Sequence, residues 1–225
     1  FFDEEDKILI QAEYDSLINN LTRCNKPGDR EMIDKAFSIA NTAHWNMRRK
    51  SGEPYIIHPI SVAKIVNQEI GLGAKSIATA LLHDVVEDTE YTLEDVKRDF
   101  DPKIASLIDG LTKISGTYNK ENTASMQAEN FRKMLLTLSD DMRVILIKIA
   151  DRLHNMRTLD SMPEHKKMKI AGETIFLYAP LAHRLGLYAI KSELEDLSFK
   201  YRQPQIYEEI ADQPKHSEKR FYTLI

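Results

Sequence analysis

Cysteine is almost absent: Cys24 is the one thiol in 225 residues. That excludes an internal disulfide framework and predicts a reducing, cytoplasmic setting. Glycine and proline are scarce, eight of each, which argues against a loop-rich or disordered chain. No apolar run approaches the ~18 to 20 residues of a membrane span, and no basic-apolar-small signal segment opens the chain. Neither sign of charge dominates. With 31 basic and 35 acidic residues the net charge is -4, so the overall field attracts neither nucleic acid nor an anionic membrane, and any phosphate site must be local. A hydrophobic content of 42% is enough for a sizeable core. The start at Phe1 and the close in Phe221-Tyr222-Thr223-Leu224-Ile225 suggest a piece of a longer protein.

Apolar residues recur at a period near 3.6 from end to end, while sustained period-2 alternation is missing, which predicts an all-α fold. Helices are expected at roughly 3 to 22, 29 to 48, 59 to 70, 74 to 88, 92 to 99, 102 to 114, 124 to 138, 140 to 160, 164 to 185 and 188 to 211, with ends uncertain by ~2 to 4 residues. Pro27-Gly28 separates the first two, with Asp29 as the expected N-cap, and Thr92 with Asp95 forms a variant capping box. Pro163 suits an early helical position, and Gly186 suits a helix end. Ser115 to Thr123 is the best interior loop candidate.

The run Ile77-Ala78-Thr79-Ala80-Leu81-Leu82-His83-Asp84-Val85-Val86-Glu87-Asp88-Thr89 carries the chemistry. At 100° per residue its apolar members cover one side, and His83, Asp84, Glu87 and Asp88 share the other. A wet helix face is the ordinary reading of such a pattern. Here, however, no Lys or Arg offsets the acids, and Glu87 and Asp88 sit near the expected helix C-terminus, where the macrodipole disfavours them by a few tenths to ~1 kcal/mol. A missing positive charge is implied.

A second helix, Arg143 to Leu159, is apolar over most of its circumference in its first half and belongs in the core. Asp151 follows directly, and a buried carboxylate costs several kcal/mol unless paired or bound to a cation. An ion pair with Arg152 or Arg157 is the ordinary alternative. Asn155 and Thr158 continue the stripe. A basic turn, Arg48-Arg49-Lys50-Ser51-Gly52-Glu53-Pro54, leads to His58, with Pro59 starting the next helix. A basic triplet is more often a solvated face, and a lone histidine more often structural. Together, though, His58, His83, Asp84 and Asp151 form a mixed N/O set suited to manganese, iron or zinc. Glu87 and Asp88, one turn on, would orient or deprotonate a water.

His58, His83-Asp84 and the distant Asp151 resemble the signature of the HD superfamily of metal-dependent phosphohydrolases. More narrowly, the segments Arg49 to Pro59, Leu82 to Thr89, Asp109-Gly110-Leu111-Thr112-Lys113, Ala150 to Leu159 and Tyr178 to Gly186 resemble the N-terminal hydrolase domain of the RelA/SpoT (Rel) family. The similarity runs from about residue 25 to 202. It implies an all-α HD-domain helical bundle and a Mn2+-dependent guanosine-3′,5′-bis(diphosphate) 3′-pyrophosphohydrolase, which converts ppGpp or pppGpp to GDP or GTP and pyrophosphate in the stringent response. His58, His83, Asp84 and Asp151 match the family's metal ligands, and Glu87 and Asp88 its water-activating acids. Arg49, Lys50 and Ser51 match its nucleotide-binding turn, with Asn155 and Thr158 near the nucleoside.

The resemblance also divides the chain into a hydrolase domain over 1–200 and a link over 201–225 toward a synthetase domain, absent here together with the regulatory domains. The segment from Ser115 to Met126 resembles a variable loop near the family's pocket. Two rivals stand: an HD phosphohydrolase acting on another nucleotide, and a nucleotide-sensing module without hydrolysis. A dinuclear HD site would need further histidines from His44, His154, His165, His183 and His216. Of these, His154 and His183 are expected to be structural.

Overall fold

The computed structural model describes residues 2–115 and 141–211. Among them the architecture is all-helical, with a single isolated bridge pairing Arg48 and Pro54. The chain divides into two compact units, Phe1–His154 and Asn155–Ile225.

The first unit contains α1 (Glu4–Asn19), α2 (Asp29–Ala43), α3 (Ile57–Lys64), α4 (Ala74–Leu82), the single turn α5 (Val85–Asp88), α6 (Leu93–Asp99), α7 (Pro102–Ser115) and most of α8 (Met142–Arg157). Its centre is α4, which packs on α2, α3 and α7. Every residue of α4 except Lys75 is buried, as expected for a helix that is apolar or small all round. The buried hydroxyl of Thr79 is satisfied by donating to the Lys75 carbonyl at 2.7 Å. In α8 the run Val144–Ala150 is buried without a break, which places Asp151 at the core end of the helix. Asp141 caps α8, its carboxylate accepting from the Arg143 backbone at 3.0 Å and pairing with Lys103 of α7 at 2.6 Å.

The second unit holds α9 (Glu164–Glu173), α10 (Ala179–Arg184), α11 (Tyr188–Arg202) and α12 (Pro204–Ala211). There α11 packs on α9, α10 and α12.

Several expected helices are divided, each for a local reason. The helix expected over 74–88 stops at Leu82, and His83 and Asp84 form a break before α5. The helix expected from 164 to 185 widens into a π-turn over Thr174–Tyr178 ahead of Pro180, whose nitrogen has no hydrogen to donate. Pro204 likewise divides the helix expected over 188–211, with Gln203 driven to an extended-side conformation at φ -139°. The helix expected to reach 48 ends at Ala43, so the basic turn is not helical.

Gly28, at φ 87°, occupies the N-cap expected of Asp29, whose side chain instead accepts from the Lys26 backbone at 3.0 Å. The Thr92/Asp95 capping box is present with both reciprocal bonds, and Gly186 follows α10 at φ 75°. The helix expected over 124–138, and the interior loop beyond Ser115, lie outside the described residues.

Candidate metal centre

His58 stands on the first turn of α3, as the second residue of that helix rather than before its start. His83 and Asp84 occupy the break after α4, and Asp151 lies on α8. These segments bring one ligand atom each of His58, His83 and Asp151 within 4.8 Å of one another. His58 Nε2 is 3.3 Å from Asp151 Oδ1 and 3.6 Å from Asp84 Oδ2. His83 Nε2 is 3.2 Å from Asp84 Oδ1 and 3.9 Å from Asp151 Oδ1. Both imidazoles are buried, and the two carboxylates are only 15% and 17% exposed.

The His83 ring decides what this cluster can hold. Its Nδ1 lies 2.7 Å from the Ala80 carbonyl, which can only accept, so Nδ1 carries the hydrogen. Nε2 therefore presents a lone pair. That atom is buried without a hydrogen-bond partner, yet it faces carboxylate oxygens that also present lone pairs. Four electron-rich groups converging in a largely dry place are mutually repulsive unless a cation or proton sits among them. The donor set and the orphaned nitrogen both fit a divalent cation.

The carboxyls respond to the same surroundings. Burial pulls Asp151 upward, but His58 at 3.3 Å, together with the nearby Lys148 and His83, holds it well below the usual carboxylate range. Asp84 is also raised by burial and by Asp151, yet His83, His58 and the Tyr55 hydroxyl leave it net lowered. Both are therefore anionic at neutral pH. Lys148 Nζ lies 3.7 Å from Asp151, while Arg157, one of the two expected partners, pairs with Glu193.

Glu87 and Asp88 lie exposed in α5, one turn past the His83-Asp84 break. Tyr55 ties Asp88 to the cluster, donating to Asp84 Oδ2 at 2.7 Å and approaching Asp88 Oδ2 at 3.1 Å. Its ring stacks on buried His44 at 4.8 Å. The basic turn is closed by the Arg48 and Pro54 bridge and by Gly52 at φ 95°. Lys50 and Ser51 are exposed on it, whereas the Arg49 guanidinium turns inward to His154 Nδ1 at 3.2 Å and to Glu53 at 3.9 Å. Asn155 and Thr158 belong to the second unit, on the last turn of α8 and just beyond it; they are not brought together with the cluster within one unit.

Sequence reasoning missed Tyr55, Lys148 and the position of His154. Tyr55 lies inside the motif that carried His58, so its signal was present, but a through-space bond to Asp84 has no sequence period. His154, expected to be merely structural, touches His58 at 2.8 Å between Nδ1 atoms. His183, expected beside core positions, is exposed, as is His165. His216 lies outside the described residues.

An all-helical fold with a buried His/Asp centre suited to a divalent cation defines the class. The chain belongs to the HD-domain family, whose match spans residues 36–188. It is 47% identical over 213 residues to the guanosine-3′,5′-bis(diphosphate) 3′-pyrophosphohydrolase of Aquifex aeolicus, covering 95% of this chain and 29% of that one. It is 50% identical over 179 residues to a probable enzyme of the same name from Synechocystis, covering 80% and 23%. To the GTP pyrophosphokinase of Myxococcus xanthus it is 51% identical over 180 residues, covering 79% and 24%.

The chain thus spans less than a third of the length of these curated relatives. The resemblance to the Rel family drawn from the motifs is borne out by these matches. A solved structure described as a metazoan ortholog of SpoT that hydrolyzes ppGpp shares the fold, with TM-score 0.55 and 23% identity over 76% of this chain and 96% of that one. Among the described residues, no helix is long and apolar enough to cross a membrane.

Proposed function

We propose that this chain is the hydrolase part of a Rel-type alarmone enzyme, a Mn2+-dependent guanosine-3′,5′-bis(diphosphate) 3′-pyrophosphohydrolase that releases pyrophosphate from ppGpp or pppGpp. The observation that carries this reading is the orphaned His83 Nε2 facing Asp84 and Asp151 beside His58, in a chain about half identical to proteins bearing that activity in their names.

His58, His83, Asp84 and Asp151 hold the cation. A bound divalent cation acidifies water and offsets negative charge gathering on the attacked phosphate. Glu87 or Asp88 takes the proton from the attacking water and holds that water in line, with Tyr55 orienting Asp88. Lys50 and Ser51 engage the diphosphate groups from the turn that Arg49 anchors. Asn155 and Thr158 contact the nucleoside.

The residues up to 200 form the hydrolase domain, and 201–225 lead toward the synthetase and regulatory domains that the length of the relatives supports. The N/O ligand set admits iron or zinc as well as manganese, and the enzyme acts in the cytoplasm. The test is product analysis of ppGpp incubated with Mn2+, with chelator, and with Asp84→Asn as blank. GDP and pyrophosphate formed with Mn2+ alone support the reading; intact ppGpp in the presence of bound metal refutes it.

A further inference from the structure

His154 has no role in the chemistry assigned above, yet it is buried at the end of the first unit and in contact with both the metal centre and the basic turn. Its Nδ1 lies 2.8 Å from Nδ1 of His58 and 3.2 Å from Nη1 of Arg49. The hydrogens on these three groups can be assigned from donor chemistry alone.

A guanidinium has only donors. Arg49 therefore donates to His154 Nδ1, which must present its lone pair. With no hydrogen on His154 Nδ1, the 2.8 Å contact to His58 is held by a hydrogen on His58 Nδ1. A neutral imidazole carries one hydrogen, so His58 Nε2 is left with its lone pair directed at Asp84 and Asp151. In the opposite assignment, a hydrogen on His154 Nδ1 would meet an Arg49 N–H head-on, and His58 Nε2 would present a hydrogen where a cation must bind. For His83 the same selection is made by a backbone carbonyl, at 2.7 Å from Nδ1. The two imidazoles are thus set to one tautomer by different devices.

We propose that His154 is a positioning residue: as acceptor for His58 Nδ1–H, and steadied by Arg49, it fixes the tautomer and ring orientation in which His58 ligates through Nε2. This rests on the reading of the cluster as a cation site. It also gives Arg49 a place in metal binding, beyond contact with a nucleotide. Partners that orient a ligating histidine in this way commonly contribute 10- to 100-fold to metal affinity, as an order of magnitude.

The test has one readout that needs no metal and no variant. Long-range nitrogen-15 NMR of the metal-free wild-type protein in mildly alkaline buffer should show His58 carrying its hydrogen at Nδ1 and none at Nε2. The reverse assignment overturns the proposal, and it does so even if the protein binds no Mn2+ and the cation-site reading falls on its own.

The second readout is Mn2+ affinity by calorimetry for two variants whose folding is checked by circular dichroism. His154→Leu removes the acceptor and should weaken binding roughly 10- to 100-fold. His154→Asn, whose side-chain oxygen reaches close to the position of Nδ1, should stay within a few-fold of wild type. Equal affinity in folded His154→Leu and wild type, or equal loss in the Leu and Asn variants, would overturn the proposal.

Discussion

Gly110 offers a prediction whose sign follows from two opposing numbers. It sits inside α7, at the point where that helix meets α8. A Cβ added there would lie 3.4 Å from Val144 Cγ1 and only 2.9 Å from Cγ2, the latter closer than carbon atoms tolerate. Replacing an interior helical glycine by alanine ordinarily stabilises by about 1 kcal/mol. Against this, overpacking a core contact costs roughly 1 to 3 kcal/mol. Val144 is 2% exposed, and its β-branched side chain has essentially one rotamer in a helix, so it cannot swing aside. The clash should win.

Gly110→Ala is therefore expected to lose about 1 kcal/mol net, a fall in Tm of roughly 2 to 4 °C for a chain of this size. Urea and thermal denaturation of Gly110→Ala, Val144→Ala and the double variant form a cycle that isolates the contact. With Val144 shortened, the same glycine substitution should become stabilising by up to about 1 kcal/mol. If Gly110→Ala instead stabilises the otherwise wild-type protein by that full amount, α8 yields freely and the close-approach argument is wrong. Because α8 also carries Asp151 and His154, the single variant should weaken Mn2+ binding, and the double variant should recover part of it.

Glu87→Gln should leave metal bound while reducing ppGpp turnover roughly 100-fold or more, as for loss of a general base; normal turnover in steady-state assays would remove Glu87 from the mechanism. Tyr55→Phe deletes the hydroxyl shared by Asp84 and Asp88 and should lower metal affinity about tenfold, by analogy with other partners of ligating groups, which calorimetry would read directly. Asp141→Ala removes the α8 cap and its bonds to Arg143 and Lys103, at a cost of about 1 to 2 kcal/mol. Arg143, aided by Lys103 and opposed by burial, holds the Asp141 carboxyl well below its ordinary 3.8. Its charged form thus stabilises the fold fully above that value, and the contribution is lost as pH falls toward the depressed folded pKa. The stability gap between wild type and Asp141→Ala in urea should accordingly narrow only in acid below about pH 4.

The all-helical class and most helix positions were legible because burial of one face leaves a 3.6-residue period, clearest in α2 and α7. What that period does not register is a local fault. His83 and Asp84 continue the pattern of α4 while the helix gives way beneath them, and the π-turn before Pro180 preserves the apolar stripe it interrupts. Pro204 and Gly28 did carry a local signal, and it was outweighed by the periodicity around them. In the site, the residue types and their family motifs led to four side chains that the fold brings together. The bonds among their neighbours were illegible for a different reason: Arg49 and His154 are separated by 105 residues and Tyr55 and Asp84 by 29, and neither pair has a spacing rule. Arg49 shows the consequence, since a basic turn reads as solvent-facing while its guanidinium in fact points inward to an imidazole.

Metal stoichiometry, measured on the same preparations as ppGpp hydrolysis, tests the central claim most directly. Wild type and the four variants His58→Ala, His83→Ala, Asp84→Asn and Asp151→Asn would be loaded with Mn2+, desalted and assayed side by side. One ion per wild-type chain is expected, with sharply reduced occupancy in each folded variant and hydrolysis that falls in step. Variants that keep full occupancy, or that hydrolyse ppGpp without metal, would contradict it.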